Sequence, residues 1–155
     1  MPGDVYQAPT VSEIESILVK EFPSLQVTRT EARRVYATAD RDSIFELCTF
    51  IHDNLNFEHC SSLSGVDRES TFQVVYHLSN YENGVMIEIT SDVPSDDPRI
   101  ASVASIWGGA NWHEREAYEL FGIVFEGHPK LERLLTPSNY EFYPFRKSYK
   151  LRGQE

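Results

Sequence analysis

The stretch Phe72-Gln73-Val74-Val75-Tyr76-His77-Leu78-Ser79-Asn80-Tyr81-Glu82-Asn83-Gly84-Val85-Met86-Ile87-Glu88-Ile89-Thr90 decides the fold. Phe72, Val74, Tyr76 and Leu78 alternate with Gln73, Val75 and His77, the period-two pattern of a half-buried strand. Val85, Ile87 and Ile89 alternate in the same way with Met86, Glu88 and Thr90. Between them Asn83-Gly84 is a turn signal, because both positions tolerate positive φ. Two strands joined this way form an antiparallel hairpin, so the chain is built on a sheet.

Upstream the period changes. Thr10-Val11-Ser12-Glu13 has the spacing of a capping box, and Ile14, Ile17, Leu18 and Phe22 recur at helical intervals until Pro23. Leu25–Thr28 and Arg34–Thr38 are short β-leaning runs around a polar Arg29-Thr30-Glu31-Ala32 connection. Asp40 or Asp42 is placed to cap a second helix whose Ile44, Leu47, Cys48, Ile51 and Leu55 form one stripe. Phe57 to Val66 begins the sheet region, with a turn expected at Gly65-Val66-Asp67-Arg68. These readings predict an α+β fold, two-layer, with a mixed, mostly antiparallel sheet and the element order αββαβββ. Short helices and an extended C-terminal tail are expected to follow.

Downstream, Val93 to Pro98 is expected to be an irregular connector, since its prolines and aspartates oppose both helix and ladder. A short helix is expected around Ile100 to Trp107, ended by Gly108-Gly109. Asn111 is placed to cap the next helix, with Glu114 reaching back to the Asn111 N–H, and Gly122 stops that helix near Phe121. Pro129 suits the first turn of one more helix carrying Leu131, Leu134 and Leu135. Residues 1–135 are expected to form a single α/β domain, with residues 136–155 as a basic, aromatic tail that docks on a neighbouring protein.

The 155 residues suffice for one core, and no apolar run approaches the roughly 18 residues of a membrane span. Met1 to Gln7 carry neither a basic nor an apolar signal region, which makes a cytoplasmic location the expectation. Cys48 and Cys60 are the only cysteines, too few for a four-cysteine cluster or zinc site; Cys48, on an apolar stripe, reads as packing. The net charge of −10 is uneven: from His128 onward six basic residues face three acidic ones, a net +3, which leaves −13 on residues 1–127. An acidic body argues against nucleic acid as the main partner. It suits a tail that docks on another protein or on the body itself.

Several chemistries can be weighed on residues alone. His113-Glu114-Arg115-Glu116 lacks the second histidine one turn on, because position 117 is Ala, so the zinc-protease motif fails. Glu114, Glu116 and Glu119 could offer paired carboxylates for a small hydrolase, or simply a solvated helix face with an Arg115–Glu119 ion pair. His128, fixed between Gly127 and Pro129, is either bonded to a backbone carbonyl or presented at a partner surface.

The run Asn111-Trp112-x-Glu114-Arg115-Glu116-x-Tyr118-x-x-Phe121-Gly122-Ile123-x-Phe125-x-Gly127-His128-Pro129-x-Leu131-x-Arg133-x-Leu135 closely resembles the signature of the C-type, or 30-kilodalton, subunit family of NADH dehydrogenase, respiratory complex I. Val93-Pro94, Asp97-Pro98 and Ile106-Trp107 upstream resemble the same family, as do Pro144-Phe145-Arg146-Lys147 and Tyr149 downstream. Departures are Glu119 and Ser148, where the family has aspartate, and Glu132, where it has a basic residue. The resemblance extends to the C-type relatives found in F420H2 dehydrogenases. It implies a two-layer α/β fold and a non-catalytic structural subunit in the peripheral arm of a proton-translocating oxidoreductase of the NADH:quinone or F420H2:methanophenazine type.

Such a subunit would brace the large quinone-module (D-type) subunit, beside neighbouring iron–sulfur subunits on the cytoplasmic side of the cell membrane. The resemblance implies no cofactor on this chain, while the complex carries iron–sulfur clusters and a quinone or methanophenazine. The interface residues it suggests are Trp112, Arg115, Glu116, His128, Pro129, Arg133, Arg146 and Lys147. The alternatives are the stand-alone hydrolase using Glu114, Glu116 or Glu119, and a soluble assembly chaperone.

Overall fold

The computed structural model describes residues 7–151, so the amino-terminal residues behind the location reading, and Arg152 and Glu155 of the tail, lie largely outside the described residues. Helix α1, Val11–Glu21, begins with the expected capping box: Thr10 Oγ1 accepts the Glu13 N–H at 3.3 Å and Glu13 accepts the Thr10 N–H at 3.1 Å. Ile14 and Leu18 on its inner face are fully buried, each contributing about 1.5–3 kcal/mol. The two β-leaning runs become strands β1, Gln26–Glu31, and β2, Arg34–Thr38, paired as an antiparallel hairpin, but β1 runs through most of the expected connection and leaves the turn to Ala32-Arg33.

Helix α2, Ile44–Leu55, buries all five stripe residues. Neither Asp40 nor Asp42 caps it by side chain. The chain enters through a 3-10 turn, Arg41–Ser43, in which the Ser43 N–H and hydroxyl both bond to the Asp40 carbonyl, at 3.1 and 2.9 Å.

The main sheet has the order β1-β2-β5-β4-β3, with β3 spanning His59–Asp67, β4 Thr71–Ser79 and β5 Met86–Pro94. All neighbours are antiparallel except β2 and β5, so the sheet is mixed and mostly antiparallel, as the alternation implied. The expected turn at Gly65 lies three residues later. Val66 and Asp67 still pair with Gln73 and Phe72, and the turn falls where Glu69 takes a φ of 72° with its N–H on Asp67. Likewise β5 continues through Pro94, shortening the connector.

Inward side chains of β2, β3, β4 and β5 form one core with α1, α2 and the helix that follows. The other sheet face carries a polar row in which His77 bridges Ser62 at 2.7 Å and Glu88 at 3.0 Å. Val75 is also buried, despite lying on that face.

Three expectations for the C-terminal half are corrected. Ile100 to Trp107 is not a helix: β6, Arg99–Ala101, pairs in parallel with β7, Val124–Glu126, so that Ile100 meets Phe125 in the core. A three-residue strand is too short to show a period, and burial of that pair overrides local propensity. Helix α3, Ala110–Phe121, starts at Gly109 with no side-chain cap, because a backbone turn from Trp107 already holds the Ala110 N–H at 3.0 Å. Residues 128–136 form no helix after Pro129, since the N–H groups of Leu134, Leu135 and Thr136 bond to the Glu119 carboxylate instead of to their own carbonyls. The predicted stop at Phe121 is present, with Gly122 at φ 80°.

Helix α3 lies along β3, where the Phe121 ring covers Gly65 so closely that a Cβ there would sit 2.7 Å from the ring. Phe121 is held between Phe72 and Phe145 at centroid distances of 6.1 and 6.0 Å and has nowhere to retreat. Gly65→Ala should therefore cost about 1–3 kcal/mol. In urea denaturation this appears as a lower midpoint at unchanged slope; an unchanged midpoint would show that Phe121 is free to move.

Candidate functional site

An α-helix ends with four carbonyl groups that lack partners within it. At the end of α3 all four are met. Tyr118 O accepts the Gly122 N–H at 2.7 Å and Leu120 O accepts the Phe145 N–H at 3.0 Å. Glu119 O accepts from Arg133 Nη1 at 3.4 Å, and Phe121 O from Arg146 Nε at 2.6 Å. Two guanidinium groups thus stand at the negative end of the helix dipole. The segment that supplies them is folded back across the helix end.

Gly122 permits this twice over. Its positive φ turns the chain, and a Cβ there would lie 2.6 Å from Arg146 Nη2 and 3.0 Å from the Tyr143 ring. Arg146 is sandwiched over Tyr143 and Phe72, at 4.5 and 5.1 Å from the ring centroids, while Arg133 faces Tyr140 and Tyr143. Arg133 also donates to Thr136 Oγ1 and Phe142 O, both at 3.0 Å. Next to it, Asp67 accepts the Lys147 N–H at 2.7 Å. Burial raises the Asp67 carboxyl, but the N–H groups of Lys147 and Glu69 outweigh it and hold the group below its usual value.

The Glu119 side chain is fully buried and does not pair with Arg115. Its carboxylate accepts the Leu134, Leu135 and Thr136 N–H groups, the last two at 2.8 and 2.9 Å. Burial pushes this carboxyl up, yet the three N–H groups dominate and keep it below its ordinary value. Arg115 instead donates to the carbonyls of Glu132 and Arg133, at 3.0 and 3.4 Å.

Glu114 is not on a solvated face either. It occupies the buried stripe Ala110, Glu114, Ala117, Phe121, a spacing of i, i+4, i+7, i+11 that is legible in the sequence. Its carboxyl takes the Ser102 hydroxyl at 2.6 Å and the Val103 N–H at 2.7 Å, and burial, against these two donors, raises it to about 7. Ser102, Val103, Asp67 and Tyr143 are the parts of the site that sequence reading missed. Each acts through a backbone group or a contact distant in the chain.

The suggested interface residues divide into two sets. Trp112, Glu116, Pro129 and Lys147 are exposed, with the Arg115 guanidinium 5.2 Å over the Trp112 ring. The His128 side chain is fully buried: Nε2 faces Asn111 O at 3.2 Å and Nδ1 accepts the Lys130 N–H at 2.9 Å, the carbonyl-bonded reading of the two. Arg115, Arg133 and Arg146 hold the segment to α3. Leu135, Phe142, Phe145 and Leu151 are exposed too, each 57–73%. Among the described residues both cysteines are free and buried, no group of three or more His, Cys, Asp or Glu side chains could hold a metal ion, and no helix is long and apolar enough to cross a membrane.

A profile of the family described as "Respiratory-chain NADH dehydrogenase, 30 Kd subunit" matches residues 37–155. The chain is 40% identical over 119 residues to the C-type subunit of F(420)H(2) dehydrogenase from Methanosarcina mazei, covering 75% of each chain. It is 40% identical over 126 residues to the C-type subunit of NADH-quinone oxidoreductase from a Roseiflexus species, covering 78% of this chain and 71% of that one. In structure it resembles a chain of the membrane-bound sulfane sulfur reductase, an archaeal respiratory membrane complex, with a TM-score of 0.81 at 26% identity, covering 91% of this chain and 86% of that one.

Because the native Glu119 carboxyl is lowered, its stabilisation is complete above the unfolded value of about 4.3 and is lost as pH falls through the native one. Glu119→Gln should cost about 1.5–3 kcal/mol at pH 7, the scale of bonds to a charged group, and should flatten the acid limb of stability. Urea midpoints at neutral and acid pH test this. Parallel wild-type and variant pH profiles would contradict it.

Proposed function

The chain belongs to the respiratory-chain NADH dehydrogenase 30 Kd subunit family, and we propose that it is a non-catalytic structural subunit in the peripheral arm of a complex I-like, membrane-associated oxidoreductase, where it braces the large quinone-module subunit. The observation that carries the reading is the inward turn of the signature's polar side chains. Glu114, Glu119, Arg115, Arg133, His128 and Arg146 are all bonded within the chain. Glu119, Arg115, Arg133 and Arg146 hold a loop without regular structure in place, and Leu135, Phe142, Phe145 and Leu151 on that segment, like Trp112 on α3, are exposed to water. Large apolar groups left in water on a fixed segment are what a permanent partner covers.

In this reading the direct contacts are Trp112, Glu116, Pro129 and Lys147, together with the exposed tail aromatics. Arg115, His128, Arg133 and Arg146 shape the surface from beneath. The tail, residues 136–155, docks twice: its described part is pinned on its own α3, and its outer face meets the large quinone-module subunit and the adjoining iron–sulfur subunits. The electron carriers of the assembly, its clusters and its quinone or methanophenazine, sit on those partners, on the cytoplasmic side of the membrane. The hydrolase alternative needs two carboxylates facing a common open space. Glu114 and Glu119 are each fully buried and already bonded, and Glu116 stands alone in solvent.

Affinity-tagged chain, expressed in cells that make the whole assembly, should co-purify with the large subunit in the mature complex, which a transient chaperone would not do. Trp112→Ala combined with Phe142→Ala should cut that recovery about tenfold, a loss of ~1.4 kcal/mol, with little change in the thermal midpoint of the isolated chain. Undiminished recovery would overturn the assigned surface. Turnover of a substrate by the purified chain alone, lost in Glu116→Gln, would favour the hydrolase.

A further inference from the structure

Ser102, Glu114 and His128 meet behind α3, and the Glu114 and His128 side chains are both wholly out of water. The Lys130 N–H points at His128 Nδ1, so in the neutral ring the hydrogen is on Nε2. That hydrogen has two acceptors ahead of it, Asn111 O at 3.2 Å and Glu114 Oε2 at 3.9 Å. The same Oε2 is 2.6 Å from Ser102 Oγ, while Oε1 takes the Val103 N–H; the short contact suits an O–H in either direction, because Ser102 Oγ can accept as well as donate and already accepts the Ala104 N–H at 3.2 Å. The Gly127-His128-Pro129 turn begins at a φ of 84°, and no atom lies within 4 Å of where a Gly127 Cβ would be. At Gly127 the turn is not packed against other atoms.

We propose that Ser102, Glu114 and His128 form a buried proton-binding site that sets the position of the Gly127–Pro129 turn. With the proton bound, Glu114 donates to Ser102 Oγ, and His128 keeps its Nε2–H on Asn111 O. When the proton leaves to water, Ser102 donates to the carboxylate. The new negative charge then draws the His128 Nε2–H away from Asn111 O, closing the 3.9 Å gap and moving the turn toward α3. Throughout, His128 Nδ1 keeps its bond from the Lys130 N–H.

Among the described residues, Cys48 on α2, Cys60 on β3 and Tyr76 on β4 feel the charge of Glu114. Burial holds all three in their neutral forms, Cys60 being pushed up to about 12, so none competes for the proton near neutrality. None is a cation that would hold the carboxylate charged. The Tyr76 hydroxyl, buried without a hydrogen-bond partner, adds no donor. On the interface reading above, the site makes the fit of Pro129 to the large quinone-module subunit depend on pH around neutrality; the switch itself belongs to the isolated chain.

The test is a pH titration of the full-length isolated chain by long-range proton–nitrogen NMR of the histidine rings, with His128 assigned from His128→Gln. Over roughly pH 5.5 to 8.5 the His128 Nε2 signal should move through a single midpoint near 7 while Nδ1 keeps the shift of an unprotonated nitrogen. The Gly127 and Lys130 amides should move with it. In Glu114→Gln the curve should be flat, and in Ser102→Ala, which retains the carboxyl but loses a donor to its charged form, the midpoint should rise. A flat wild-type curve, an Nδ1 that protonates, or an unchanged midpoint in either variant that folds would overturn the proposal. Loss of co-purification with the large quinone-module subunit would leave this result untouched, so the two readings fail separately.

Discussion

The carbonyl groups at the end of α3 have to be satisfied, and the rest of the C-terminal third is arranged to do it. A helix ending at the surface can leave them to water. Here Phe121 is buried against Gly65 and Phe72, and the chain itself returns with donors. Gly122 makes the reversal, Arg133 and Arg146 bring charged donors to the negative pole, and Phe145 adds a backbone N–H. The Glu119 carboxylate does the reciprocal service, gathering the N–H groups that the irregular loop would otherwise leave unpaired. One helix end therefore specifies a long run of residues that have no regular structure of their own.

This accounts for a signature that is rich in charge without an evident active site. A loop of this length usually remains mobile unless something fixes it. Arg115, Arg133, Arg146 and Glu119 fix it, and a rigid, partly apolar surface results. A preorganised surface loses less conformational freedom when a partner binds, which is the physical advantage of a scaffold.

The hairpin and the α2 stripe were legible because a period of two or of 3.6 is written into consecutive residues, and burial follows it at Tyr76, Ile87 and Ile51. Thr10 and Glu13 were legible because both partners of the capping box lie within one turn. The errors share a different cause. Asn111 with Glu114, and Arg115 with Glu119, had satisfactory local partners, but distant backbone groups were better ones once tertiary packing had removed water. Pro129 carried a helix-start signal that failed because the Glu119 carboxylate captured the N–H groups a helix would have used. The strand at Ile100 was too short for any pattern. At the site, residue types and approximate positions could be read from the chain, whereas the bonding partners depended on contacts between distant segments.

Amide hydrogen exchange on the isolated chain addresses the central claim most directly, that the end of α3 and the Glu119 carboxylate hold the following loop in place. Leu134, Leu135, Thr136 and Phe145 lie outside helices and strands, so protection at their amides can come only from the bonds described. The account predicts that these four exchange as slowly as the amides of α3 itself. Exchange at the rates of an unstructured chain, with α3 still protected, would contradict it.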